Sequence, residues 1–207
     1  MRTFIPLLLL TAILPGSVAA AEPAPPVDRN AEALAIMQAS FQPKGQAGMD
    51  RLEQDETQAA CSQYAPALPP SAITTKLMEA NRAKVQYPND GKYLGDWKRG
   101  QAIAEEGKGK QSSDDPAEPS GGNCYACHQL DMQQVAYGTI GPSLYQYGKL
   151  RGSSEPVLKL AWSMINDMKG YTLCSAMPRF GSAGILTEQQ IKDVMALLFD
   201  PDSPVNQ

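Results

Sequence analysis

Near the middle of this chain, Cys124-Tyr125-Ala126-Cys127-His128 sets two thiols three positions apart and an imidazole directly after the second. In an exported protein this CxxCH spacing reads as a site of covalent haem attachment. Two thiols add to the two vinyl groups of one porphyrin edge, and the imidazole that follows turns beneath the ring to ligate iron. His128 is the single His of 207 residues, so no second imidazole relays protons or shares a metal. The composition makes a chance match a matter of about four in ten thousand. Two other chemistries use such thiols. Zinc would need Cys61 and Cys174 as further thiolates in an oxidising compartment, and a redox CxxC pair belongs in a βαβ setting that the pattern lacks.

A haem with one His needs a different sixth ligand or none. Met164 and Met168 lie on the apolar stripe of a helix, where packing accounts for them. Met177 lies in Ala176-Met177-Pro178-Arg179-Phe180-Gly181, a loop whose Pro and Gly fix the backbone and where no helical stripe requires it. It is the expected ligand opposite His128. A His/Met pair fills both axial positions and raises the reduction potential, which favours electron transfer over gas binding or activation. Cys61 and Cys174 remain as an even pair in an exported chain, so they are expected to bond. Such a bridge stabilises by roughly 4 to 5 kcal/mol in the chain-entropy model, and it stiffens the loop three residues before Met177. A haem propionate needs a cation or hydrogen bonds, for which Arg151, Tyr147 and Tyr145 are candidates. The dilute basic run Lys92, Lys98, Arg99, Lys108 and Lys110 reads as a solvated face.

The elements that must hold these residues are helices. Ala31 to Phe41 carries Leu34, Met37 and Phe41 at helical spacing, Arg51 to Tyr64 reads as a second helix, and Ser71 caps a third that runs to about Val85. Trp97 to Glu106 is helical, and Gly107 to Asn123 is a polar loop. Gly138 to Gly152 holds four Gly and one Pro and is expected to be irregular. Ser154-Glu155-Pro156 opens a helix whose stripe is Val157, Leu160, Ala161, Met164, Ile165 and Met168. Thr187-Glu188-Gln189-Gln190 is a capping box, with Leu186 and Ile191 as its staple. The last helix buries Ile191, Val194, Met195 and Leu198 and stops before Pro201. No strand pattern competes, so the fold class is all-α.

Arg2, the apolar run Phe4 to Pro15 and the small residues Gly16 to Ala21 form a Sec-type leader, cleaved after Ala20 or Ala21. The run is shorter than the roughly 20 residues a bilayer requires. Without Arg2 the chain has 17 basic and 22 acidic residues, a charge of −5. That balance argues against nucleic acid as the main partner. Aromatics are 7% of the chain, so a buried porphyrin would supply much of the missing core. The expected organisation is a signal peptide over 1–21, an N-terminal helical extension over 22–94 and a haem domain over 95–207, exported to the periplasm.

From Gly100 to about Asp200 the order of helix, CxxCH, Gly141-Pro142, middle helix, Met-Pro loop and closing helix resembles a class I cytochrome c. That resemblance implies a haem c held by Cys124 and Cys127, iron ligands His128 and Met177, and a Pro142 carbonyl that receives the His128 Nδ1 hydrogen and makes the ligand more basic. A narrower resemblance spans nearly the whole mature chain. Arg51-Leu52-Glu53-Gln54-Asp55 with Cys61-Ser62, Gly95-Asp96-Trp97-Lys98-Arg99-Gly100, Gly121 to Leu130, Gly138 to Leu144 with Tyr147 to Gly152, Cys174 to Gly181, and the ending Asp200-Pro201 with Ser203 to Asn206 are similar to the SoxX subunits of SoxAX thiosulfate-oxidising complexes. Only the loop Lys108 to Ser120 reads as variable.

The narrower resemblance implies a heterodimer with a SoxA-type haem subunit, which joins thiosulfate oxidatively to a cysteine of the carrier SoxYZ and releases two electrons. The SoxX-type haem collects them and passes them to a small soluble cytochrome c. On that reading the chain is a non-catalytic electron-transfer subunit of an L-cysteine S-thiosulfotransferase-type complex. The alternative is a free-standing periplasmic electron shuttle for another enzyme. A haem peroxidase is disfavoured, because Met177 fills the iron face that such an enzyme leaves open.

Overall fold

The computed structural model describes residues 29–207. The expected leader and the Pro-rich start of the mature chain lie outside the described residues. Seven α-helices order the rest: α1 Arg29–Ser40, α2 Glu56–Tyr64, α3 Ser71–Ala83, α4 Trp97–Glu105, α5 Tyr147–Arg151, α6 Glu155–Asn166 and α7 Glu188–Phe199. Among the described residues there is no strand, only an isolated bridge between Lys44 and Ala47. The fold is that of an all-α class I cytochrome c.

The core is built where α4 crosses α7. Gly100 permits the crossing: a Cβ there would run into the backbone carbonyl of Asp193 and the side chain of Leu197. Every residue from Ile191 to Phe199 is buried, whereas the periodicity marks only one stripe. The extra burial comes from several sides. α4 and α6 pack on α7. The C-terminal turn folds back, with the Ser203 hydroxyl donating to Leu197 O at 2.6 Å and the Asn206 amide donating to Leu198 O at 3.1 Å and Asp200 O at 2.9 Å. Burial of Asp193 is tolerated because four donors meet it. Arg99 reaches it through Nε at 2.8 Å and Nη2 at 3.0 Å, and the Asp96 N–H and the Gln189 amide also donate. Burial pushes the Asp193 pKa up, but Arg99 and the other donors outweigh it and hold the carboxyl below its usual range.

The ends of these helices follow local chemistry. Asp96 caps α4 by accepting from Arg99 N–H, and Thr187 caps α7 in the full reciprocal box with Gln190. Ser154 precedes α6, but its side chain makes no capping bond. Trp162, absent from the expected α6 stripe, is fully buried. Its indole N–H donates to Gln86 O at 2.8 Å, and Tyr93 meets its ring edge-on with centroids 5.7 Å apart. The segment 138–152, expected to be irregular, contains the short helix α5. Gln146 takes a left-handed φ of 55° ahead of it, and its N–H donates to Val205 O at 2.7 Å.

The residues before α4 depart further from expectation. The second helix begins at Glu56, not Arg51. Asp55 caps it in a reciprocal box with Gln58, and Met49–Leu52 forms a separate 3-10 turn. Ser71 is the first residue of α3 and not its cap, because Pro70 holds the capping position. α1 forms where its pattern placed it, yet none of its residues is buried. α3 turns inward: the Asn81 amide donates to Thr57 Oγ1 of α2 at 3.0 Å, both residues being buried, and Arg82 Nη1 donates to Gly170 O at 2.5 Å.

Candidate haem site

Asn123 starts the site. It takes a left-handed φ of 46°, which Asn tolerates better than most residues, and so turns the chain into a single 3-10 turn over Cys124–Ala126. The strand of loop leading into it is tied to the end of α4, through Gly122 N–H to Ile103 O at 2.8 Å and Asn123 N–H to Glu106 O at 3.0 Å. The polar loop before that is mostly exposed but braced from within. Asp114 accepts from the N–H groups of Gly109 at 2.7 Å and Gln111 at 3.1 Å. In the turn itself the Cys124 carbonyl accepts from Cys127 N–H at 3.1 Å and His128 N–H at 2.9 Å. Both thiols are therefore presented within one turn of the imidazole, and they are not bonded to each other.

His128 has one defined orientation. Its Nδ1 lies 2.7 Å from Pro142 O. A carbonyl only accepts, so the hydrogen sits on Nδ1 and the Nε2 lone pair is free for a metal. Gly141 backs the ring. A Cβ at that position would overlap Cε1, Nδ1 and Nε2 of His128, and Gly141 N–H is itself fixed to Cys127 O at 2.8 Å. These residues fit a haem c: two unpaired thiols and one oriented imidazole within one turn, with Cys124 against an apolar cluster. Burial pushes the Cys124 thiol up to about 12. Tyr125 is also pushed well up, first by burial and then by the Asp131 carboxylate that accepts its hydroxyl at 3.1 Å.

Cys61 and Cys174 form a disulfide, with Cα atoms 5.6 Å apart and a separation of 113 positions in sequence. That removes the thiolates a zinc site would have needed. Among the described residues no group of three or more His, Cys, Asp or Glu is placed to hold a metal ion.

Met177 and Cys124 border the same apolar cluster, which includes Leu130, Trp162, Ile165 and Phe180. The loop around Met177 is held from several directions. Met177 N–H donates to Ser175 Oγ at 3.1 Å, and Lys169 Nζ donates to Ser175 O at 2.9 Å. Burial, with the Arg179 guanidinium nearby, lowers the Lys169 pKa. An open cleft of about 420 Å³ separates the start of α2 from this loop; Asp55, Gln58, Lys169, Ser175, Met177 and Arg179 line it. Arg179 pairs with Asp55 across its edge. Sequence reasoning named neither residue for a role. The signals were there in the Arg two places after Met177 and in an Asp at a capping position. Only the fold shows that they meet.

Arg151 and Tyr147 are brought together, with the guanidinium 5.1 Å from the ring centroid. Tyr147 also meets Phe199 edge-on at 5.3 Å, so its ring serves the core as well. The Tyr145 hydroxyl donates to Gln207 O at 2.8 Å, which ties the segment to the C-terminus. Several apolar side chains just beyond the His are left in solvent: Met132, Val135, Ile140 and, farther on, Leu150 are exposed.

A family model described as cytochrome c matches residues 97–199. The chain is also 36% identical over 157 residues to a protein of Aquifex aeolicus (strain VF5) named an uncharacterized lipoprotein, a match that spans 74% of this chain and 73% of that protein. The chain belongs to the cytochrome c family. Its site is that of an electron-transfer haem protein with covalently bound haem c.

Proposed function

We propose that the chain is the electron-transfer subunit of a heterodimeric, thiosulfate-oxidising complex of the SoxAX type, with one haem c and the iron ligands His128 and Met177. When bound, the haem supplies a one-electron store. The residues around it make that store fit for transfer. Pro142 would hold His128 in the tautomer that ligates, Gly141 would fix the ring plane, and the apolar cluster bordered by Met177 and Cys124 would line the group. Arg151, propped on Tyr147, is the proposed cation for a propionate.

The observation that carries the reading is the disulfide from the extension to the ligand loop. A haem domain of about 100 residues stands without 70 further residues ahead of it, yet here those residues are bonded to the segment that bears Met177. The proposed division of the chain is a leader over 1–21, the extension over 22–94 and the haem domain over 95–207. Export to the periplasm is supported by the leader pattern, by a disulfide, which persists in oxidising compartments, and by a relative whose name marks it as a lipoprotein. Among the described residues no helix is long and apolar enough to cross a membrane.

The partners follow from the resemblance: a SoxA-type haem subunit that carries the substrate site, the SoxYZ carrier, and a small soluble cytochrome c as acceptor. The test is native purification. Co-elution with a second haem-bearing chain at 1:1 is the expected result. A chain that elutes alone from native extracts favours the free-standing shuttle instead.

A further inference from the structure

Two bonds cross from α2 to the loop that carries Met177, and they land on either side of it. The Cys61–Cys174 disulfide fixes the chain three residues before Met177, and the Arg179–Asp55 ion pair fixes it two residues after. Both anchors stand on one short helix, Asp55 as its cap and Cys61 within it. Asp55 divides its carboxylate between two tasks. Oδ1 accepts from Gln58 N–H at 2.8 Å and so caps the helix, while Oδ2 meets Arg179.

Exposed ion pairs usually contribute little, since water screens them and two long side chains must be ordered. This pair differs from a fully exposed one. The Arg179 side chain is only 17% exposed, while Asp55 is 41% exposed. The disulfide has also already brought the loop to α2, so much of the ordering entropy is met before the pair forms. The helix is itself held. Thr57 of α2 accepts from Asn81 of α3, and Arg82 of α3 returns to Gly170 O at the start of the same loop region. The six residues from Cys174 to Arg179 are thus pinned at both ends to one supported helix.

We infer that Asp55 and Arg179 are positioning residues for Met177, and that α2 is an internal splint that keeps the ligand loop closed. The inference rests on the reading of Met177 as an iron ligand. It gives the extension a task inside the chain, separate from any partner surface. Opening of the loop is then coupled to the loss of a contact on α2, and the coupling is measurable as competition by an added ligand.

The experiment uses oxidised holoprotein and imidazole as the competitor for the Met177 position. Asp55→Asn is the main variant, because Asn caps a helix as well as Asp and only the charge is lost. Arg179→Gln removes the other partner, and Arg179→Lys restores a cation. Asp55→Asn and Arg179→Gln are expected to bind imidazole at least about fivefold more tightly than the parent, the low end of coupling between linked sites. Both are expected to show a weaker near-infrared sulfur-to-iron charge-transfer band and a lower reduction potential, with Arg179→Lys closer to the parent. Unchanged imidazole affinity, band and potential in both charge-removal variants overturn the splint, even if their melting temperatures fall. Met177→Ala separates the two readings. A band that survives it overturns the ligand assignment and the splint together. A band lost there but untouched by Asp55→Asn and Arg179→Gln overturns the splint alone.

Discussion

At the scale of single residues, the site depends on how few atoms are free to do otherwise. His128 has its Nδ1 hydrogen engaged by Pro142 O and its ring face pressed on a glycine that no larger residue replaces without overlap. Gly141→Ala is therefore expected to push the imidazole off its plane and cost about 1 to 3 kcal/mol, as overpacked sites do. Chemical denaturation of the holoprotein checks this, and a variant as stable as the parent would show that the ring yields easily. Met177→Ala is expected to leave the haem attached through Cys124 and Cys127 while the reduction potential falls, because a thioether stabilises the reduced iron. Electrochemical titration reads it, and an unchanged potential would assign the sixth position to another residue.

At the scale of elements, the crossing of α4 and α7 and the bridge to α2 set the stability. Asp193 is a carboxylate held below its ordinary range, so its contribution is present above the unfolded value near 4 and is lost as pH falls through the lower folded value. The acid limb of the stability profile should therefore flatten in Asp193→Asn, which should also cost about 1 to 3 kcal/mol at neutral pH by replacing a buried charge-assisted acceptor with a neutral amide. Equal acid limbs in parent and variant would contradict this. Cys61→Ser is expected to lose about 2 to 5 kcal/mol, and thiol titration of the denatured, unreduced holoprotein should find no free Cys; two reactive thiols would contradict the bridge. Much of this was legible in the sequence. The helices α1, α4, α6 and α7, the Thr187 cap and the CxxCH turn all follow local patterns, which depend on neighbours along the chain. The start of α2 also follows a local pattern, the reciprocal box of Asp55 and Gln58, though the expected helix began at Arg51. Helix α5, the burial of Trp162 and the Asp55–Arg179 pair were not legible. Each is decided by contacts between distant segments: a cap 124 residues away from its second partner, or an indole whose acceptor lies 76 residues earlier.

At the scale of the whole molecule, two exposed surfaces could serve the proposed partner. One is the segment after His128, where Met132, Val135 and Ile140 are exposed. The other is α1, which buries nothing among the described residues. Scattered apolar residues are ordinary, but several within nine positions of one another and next to a redox site suit a permanent partner, whose interfaces bury on the order of 2,000 Å² or more. Charged substitutions at Val135 and Ile140 should weaken the proposed heterodimer without altering haem attachment, read by gel filtration of the mixed subunits; undiminished association would place the interface elsewhere. On the proposed function, this chain stores electrons from thiosulfate oxidation and does not itself oxidise thiosulfate. That is tested most directly by following the visible spectrum of the oxidised holoprotein as thiosulfate and the SoxYZ carrier are added, with and without the SoxA-type subunit. Reduction is expected only when that subunit is present. Reduction of the isolated chain by thiosulfate and carrier, or an oxidised spectrum that persists in the complete mixture, would contradict it.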